Sequence, residues 1–166
     1  MITIAQETPD DWWEVEALYD LCFAPGREML SSYRLRRGVP PVPQFCLTAR
    51  DETGTLAGAI RNWPARVGGK WTLLLGPVAV HPTRQGEGIG GALMHHVIEA
   101  APAEGWSRIL LVGDEPYYRR FGFRKLEGVE MPPPTNPDRV LGLELREGAW
   151  EGVRGKVRKA TDPATD

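Results

Sequence analysis

The sequence predicts an α/β domain built on a mixed, mostly antiparallel sheet flanked by helices, and three observations carry that prediction. Gln44 to Arg50 and Thr55 to Trp63 flank Asp51-Glu52-Thr53-Gly54, a hairpin signal in which glycine supplies the positive φ of a tight turn. Trp71 to Val80 is almost continuously apolar, as a central strand covered on both faces should be. Ile89, Leu93, Val97 and Ala101 then mark one helical stripe, ended by Pro102 and Gly105, before a second buried strand from Ser107 to Val112.

The remaining elements follow in order. Ile2 to Ala5 reads as a short strand, and Thr8-Pro9-Asp10-Asp11 offers an N-cap threonine, proline at the first helical position and an acid at the third. The helix that follows, Trp12 to Phe23, buries Val15, Leu18, Tyr19 and Cys22, with Trp12 and Trp13 adding area. Ala24 to Pro43 is basic and proline-rich, carrying Arg27, Arg34, Arg36 and Arg37, and is expected to hold a second short helix and a loop. Pro77 interrupts the central strand; because proline cannot donate to a ladder, the strand should bulge or splay from a neighbour there. Beyond Val112 the reading is a short helix around Tyr117, a strand from Phe123 to Leu126, a loop at Pro132-Pro133-Pro134 and a strand from Arg139 to Arg146. Residues 1–154 make one domain, and residues 155–166, being polar, are expected to fray.

Composition narrows the function. The chain has 166 residues, enough for one sizeable core, and a formal charge of −2 from 20 basic and 22 acidic residues, a balance with no global field for nucleic acid or anionic lipid. Any phosphate binding must be local. Cys22 and Cys46 have no metal spacing and read as buried thiols, His95 and His96 turn to different faces of a helix, and no metal is expected. With no signal-peptide pattern at the N-terminus and no long apolar run, a cytoplasmic location is expected and a membrane is not.

The chemistry-bearing segment is Arg84-Gln85-Gly86-Glu87-Gly88-Ile89-Gly90-Gly91, between the central strand and the striped helix. Glycines at a helix opening cost about 1 kcal/mol each relative to alanine, so they need a reason. Absent side chains at Gly86, Gly88 and Gly90 leave backbone N–H groups open at the positive end of the helix, where a diphosphate is favoured. Tight helix-to-strand packing is the competing reason. The segment also fits the dinucleotide fingerprint G-x-G-x-x-G, with Asp114 after the next strand as a ribose-binding acid. Two features oppose a nicotinamide oxidoreductase: His81 to Gln85 separate strand from glycine, and the strands before residue 70 read as antiparallel.

Gln85, Gly88 and Gly90 resemble motif A of the GNAT superfamily of N-acetyltransferases, Gln or Arg, two residues, Gly, one residue, then Gly or Ala. The resemblance extends to Val78-Ala79-Val80-His81-Pro82, similar to the family's central strand and its exit, and to Tyr118-Arg119-Arg120-Phe121-Gly122-Phe123, similar to its tyrosine, three residues, Gly-Phe ending. Gly113-Asp114-Glu115-Pro116-Tyr117-Tyr118 is similar to a bacterial branch with a Gly-Asp-Pro-like turn before two tyrosines. The match covers roughly residues 71 to 126, and earlier residues agree only in element order.

What the resemblance implies is a splay between the two central parallel strands, acetyl-coenzyme A as acyl donor, and direct attack by an amine with no covalent enzyme intermediate. Val78, Ala79 and Val80 lie on the strand that borders the pantetheine, with backbone groups of Val78 and Val80 pairing with its amides. The amides of Gln85, Gly86, Glu87, Gly88, Ile89, Gly90 and Gly91 hold the diphosphate, and Arg84 or Arg120 meets the 3′-phosphate. Tyr118 is the expected catalytic acid at the thioester sulfur, with Tyr117 pointing elsewhere and His81 structural. A homodimer through the last strands is expected by analogy. The acceptor is open: Trp71 to Val80 contains no carboxylate to act as base, Glu28, Glu52, Glu115 and Glu130 are unranked, and Arg27, Arg34, Arg61 and Trp63 are candidates to line an acceptor pocket. A non-catalytic acyl-coenzyme A sensor is the rival that keeps the cradle without an acceptor site.

Overall fold

The structure, a computed structural model, describes residues 1–23, 27 and 31–163. Strand β1 (Thr3–Gln6) leads through a 3-10 turn to helix α1 (Trp12–Cys22). The turn is held as the sequence suggests, with the Thr8 backbone N–H donating to the Asp11 carboxylate at 2.7 Å. Val15, Leu18 and Tyr19 face the core and Cys22 is half-buried. Trp12 and Trp13 do not join them: the pair is 58% and 66% exposed, because both precede the first inward position of the stripe.

Helix α2 (Ser31–Arg36) precedes the hairpin of β2 (Leu47–Arg50) and β3 (Leu56–Val67), which returns through Gly68-Gly69 into β4 (Lys70–Val80). β3 outruns its expected end at Trp63 and passes through Pro64, in the stretch that β2 has left and that the last strand has not yet joined. Helix α3 (Ile89–Ala100) buries Ile89, Leu93, Met94 and Val97, and Ala101 continues the stripe at 0% exposure. Strand β5 (Arg108–Val112), helix α4 (Glu115–Tyr118), β6 (Arg124–Lys125), β7 (Val129–Glu130) and β8 (Val140–Glu144) complete most of the sheet.

Residues expected to fray from 155 onward instead begin with strand β9 (Gly155–Lys159), antiparallel to β3 and parallel to β7. Only Val157 of this strand is deeply buried, under the apolar layer formed by Val67, Leu74 and Leu110, so one side chain and a set of ladder bonds hold it. The sheet order is β1-β2-β3-β4-β5-β8-β6, with β9 beside the far end of β3. All neighbours along that path are antiparallel except β4 and β5.

One face of the sheet packs on α3 through Leu73, Leu75, Ile109 and Leu111. The opposite face is covered at one end by α1, against Ala59 and Ala79, and at the other by Leu35 of α2 with the C-terminal strands. Among the described residues no helix is long and apolar enough to cross a membrane.

Candidate active site

The parallel strands β4 and β5 are in ladder register at Leu73↔Ile109 and Leu74↔Leu110 alone. Past Leu74 the strands part: Val78, Ala79 and Val80 pair with β3 alone, and Leu111 and Val112 with β8 alone. Pro77 lies in the parting segment, where the sequence places the irregularity, and Gly76 beside it takes a φ of 125°. The gap opens into a cavity of about 590 Å³ between Leu75–Val78, Leu111–Asp114, the two tyrosines of α4 and residues of α2.

Backbone alternation decides which groups face the gap. The His81 N–H donates to the Ala57 carbonyl of the β3 side at 2.8 Å, so residues 79 and 81 turn their polar groups to β3 and those of Val78 and Val80 turn to the open side. The Val80 carbonyl already accepts from the Gln85 side chain at 2.9 Å and from the Cys22 thiol at 3.4 Å. Gln85 thus ties the glycine loop to the strand end.

Gly88 caps α3 in the left-handed region (φ 80°), and Gly86 has a φ of 84°. A Cβ at either would meet nothing within 4 Å, so the glycines answer to backbone conformation and border open space, not to packing. Gly90 differs: a Cβ there would lie 3.4 Å from Val80 and 3.8 Å from the Tyr117 hydroxyl, which brings Tyr117 beside the helix opening. Ile89 is buried, so only its backbone faces the loop side, and Gly91 packs near the Phe121 ring.

Of the two candidate arginines, Arg84 is committed. Its guanidinium bonds Glu87 through Nε and Nη2 and Asp51 at 3.1 Å, fastening the loop to the β2–β3 turn. Arg120 lies 4.4 Å over the Tyr117 ring and donates from Nε to the Tyr117 carbonyl at 2.9 Å, and among the described residues no carboxylate pairs with it. His81 caps the turn that follows β4, its Nδ1 accepting the Thr83 N–H at 3.2 Å.

Tyr118 reaches the cavity from α4 because the end of β5 is a glycine. A Cβ at Gly113 would fall 2.4 Å from the Tyr118 ring, which lies on that bare backbone and meets Phe123 edge-on at 6.0 Å. Its hydroxyl has no hydrogen-bond partner among the described residues, and burial pushes its pKa up to about 12. Tyr117 does not point away as the sequence suggests. It lines the same cavity, its ring crossing that of Tyr118 at 89°, because adjacent positions on a helical turn lie only about 100° apart and both can border one cavity.

Glu52, Glu115 and Glu130 stand outside the cavity: Glu52 pairs with the N-terminus, Glu115 with Arg119, and Glu130 lies exposed on β7. Glu28 lies outside the described residues. Among the described residues, the acid on the cavity wall is Asp114, paired with Arg139. Arg27 and Arg61 are buried and, with Trp63, line a second cavity of about 320 Å³, while Arg34 is exposed. Arg36, not singled out by the sequence, lines both cavities. Among the described residues no three His, Cys, Asp or Glu side chains form a metal-binding group.

Solved structures share this architecture. The GNAT family N-acetyltransferase YhbS from Escherichia coli, in complex with CoA, superposes with a TM-score of 0.81 at 25% identity, over 95% of this chain and 89% of that one. A GNAT family acetyltransferase from Brucella melitensis, in complex with acetyl-CoA, gives a TM-score of 0.71 at 28% identity, over 97% of each chain. The ribosomal-protein-S18-alanine N-acetyltransferase of Escherichia coli shares the fold at 19% identity, with a TM-score of 0.64 over 87% of this chain and 94% of that one. No curated protein matches the chain in sequence. The model of the acetyltransferase (GNAT) family matches residues 12–123, from α1 to the strand after α4 and well over half of the chain. By that match, and by a parted β4–β5 pair beside a glycine-capped helix, the chain belongs to the GNAT acetyltransferase family.

Proposed function

We infer that the chain transfers an acetyl group, or a close acyl relative, from acyl-CoA to an amine by direct attack. The single observation that carries this reading is the unpaired edge of β4 at Val78 to Val80, open to a cavity and adjoining the left-handed glycine cap of α3. An extended pantetheine arm satisfies such an edge as a further strand would, and the α3 opening favours the diphosphate that follows it. The Val78 backbone and the Val80 N–H are the partners for the arm, since the Val80 carbonyl is largely taken. The amides of residues 85–91 are the diphosphate partners, and Arg120, which pairs with no carboxylate among the described residues, suits the 3′-phosphate better than Arg84.

In the reaction the amine nitrogen forms a bond to the thioester carbonyl carbon, the carbon–sulfur bond breaks, CoA leaves as thiolate, nitrogen gives up a proton to water, and the thiolate takes one from water to become the free thiol. Tyr118 is the group we place at the sulfur. With its pKa at about 12 the hydroxyl stays protonated, but a thiol near 8.5 is the stronger acid, so full proton transfer from tyrosine is uphill. Its contribution is therefore a hydrogen bond to the developing thiolate, strongest in the transition state.

Free thiols at Cys22 and Cys46 suit a reducing cytoplasm. The test is thermal stability with ligand: acetyl-CoA at about 100 times its Kd stabilises by about 2.7 kcal/mol and should raise Tm by several degrees, whereas NAD or NADP should leave it unchanged. The reverse ranking overturns the reading.

A further inference from the structure

Three buried arginines lie close together, and their partners differ. Arg61 takes both oxygens of Glu7 and one of Glu16, and Arg27 takes the other oxygen of Glu16 together with Asp20. Among the described residues, Glu7, Glu16 and Asp20 are thereby engaged by Arg61 and Arg27. Arg36, 7% exposed, stacks 4.5 Å over the Tyr33 ring, and its Nε and Nη1 have no hydrogen-bond partner. Among the described residues no carboxylate pairs with it.

Arg36 is also placed at the site. Its Nη2 comes within 3.2 Å of where a Cβ of Gly76 would stand, at the point where β4 parts from β5, and the residue lines the same cavity as Tyr118. The other charges on that wall, Asp114 and Arg139, neutralise each other. A guanidinium held in low dielectric without a counter-ion costs stability, and burial draws its pKa down to about 10, still charged at neutrality. Supplying an anion there recovers electrostatic energy that the empty protein lacks.

We propose that the acyl acceptor is an amino carboxylate, a free amino acid or a close relative, whose carboxylate binds Arg36 while its amine faces the gap between β4 and β5. This rests on the acyltransferase reading and names the substrate class of that site. The positive charge has a second use. It disfavours an ammonium and favours the free amine, the form that attacks, in a cavity where the one acid among the described lining residues is already paired.

The test compares N-acetyl amino acids with their N-acetyl carboxamides, titrated calorimetrically into the CoA-saturated protein. The carboxylates should bind, and the carboxamides about ten- to a hundredfold more weakly, the range for losing a charge-assisted hydrogen bond. Arg36→Met should erase that difference while keeping the acetyl-CoA shift in Tm, and Arg36→Lys should keep part of it. Equal binding of the two series, a preference that survives in Arg36→Met, or no binding by any carboxylate in the panel overturns the proposal. The comparison within the parent protein needs no variant to fold. If acetyl-CoA itself gives no thermal shift, the acyltransferase reading fails, and the same titration on the free protein still decides whether Arg36 holds a carboxylate.

Discussion

The two halves of β4 do different work. From Thr72 to Leu74 the strand has β3 on one side, β5 at Leu73 and Leu74 on the other, and apolar layers on both faces. From Pro77 to Val80 it keeps β3 but loses β5, and Val78 and Val80 become half-exposed while Ala79 stays buried. One continuous strand is thus scaffold at its start and site at its end. The difference teaches that the site is made by withholding a partner: a parallel neighbour that diverges leaves a row of backbone groups and a cavity whose filling must come from a ligand.

Substitution in the closed half should act on folding alone. Leu73 is fully buried between the strands and α3, so Leu73→Ala is expected to cost about 2 to 5 kcal/mol in chemical denaturation. The acetyl-CoA increment in Tm should persist in whatever fraction folds. Loss of that increment without loss of stability would erase the distinction between the halves.

The open half should show the opposite pattern. Gly88→Val puts a branched side chain at φ 80°, at a strain of about 1 kcal/mol or more, and into the space bordering the α3 opening. We expect the ligand-dependent stabilisation of about 2.7 kcal/mol to vanish while the free protein still unfolds cooperatively. Gly90→Ala is the sharper comparison, since its Cβ would make only ordinary contact with Val80, and it should bind acetyl-CoA with a smaller loss. Equal binding by Gly88→Val and the parent, measured by calorimetry, would return both glycines to a packing role.

Gly113→Ala probes the junction between scaffold and site. The added methyl must displace the Tyr118 ring, which lies 2.4 Å from its position, at a cost of about 1 to 3 kcal/mol for overpacking. Turnover, followed by free thiol release, should fall at least as far as in removing the Tyr118 hydroxyl, because the ring itself moves.

Much of the scaffold is legible in the sequence because periodicity reports burial. The Ile89, Leu93, Val97, Ala101 stripe and the unbroken apolar run of β4 each state which faces are covered, and Pro77 announces the parting because its missing N–H is a local chemical fact. β9 is illegible for the same reason reversed: Gly155-Lys156-Val157-Arg158-Lys159 holds one apolar residue, and its pairing depends on β3 offering a free edge 90 residues earlier in the chain. Arg36 reads like Arg34 and Arg37 in a basic segment; only the fold buries it and engages Glu7, Glu16 and Asp20 with Arg27 and Arg61. The need for glycine at 113 is likewise set by a ring five residues away, a contact that no pattern of hydrophobicity encodes.

The smallest expected effect on the fold, and the narrowest test of the chemistry, is Tyr118→Phe. The hydroxyl has no partner among the described residues, so its loss should leave Tm and acetyl-CoA affinity nearly unchanged, while the phenyl ring keeps its contacts with Phe123 and the Gly113 backbone. Positioned acids contribute about 10²- to 10⁴-fold, but a thiolate of pKa near 8.5 leaves readily without help, so kcat should fall only about tenfold to a few hundredfold. The pH dependence separates this from a titrating acid. Burial raises the tyrosine above its ordinary value to about 12, so it remains protonated from about pH 6 to 9, and deprotonation begins to remove it only well above that window. The ratio of parent to Tyr118→Phe rates should therefore stay flat across those pH values, any acid limb belonging to the acceptor amine in both proteins. Tyr117→Phe, whose hydroxyl stands by Gly90, should be milder in kcat and, if anything, weaken acetyl-CoA. Parental turnover in Tyr118→Phe with impairment in Tyr117→Phe would shift the role by one residue along α4, and a ratio that falls steeply toward pH 9 would mean that the hydroxyl ionises there, against the burial that the Gly113 contact creates.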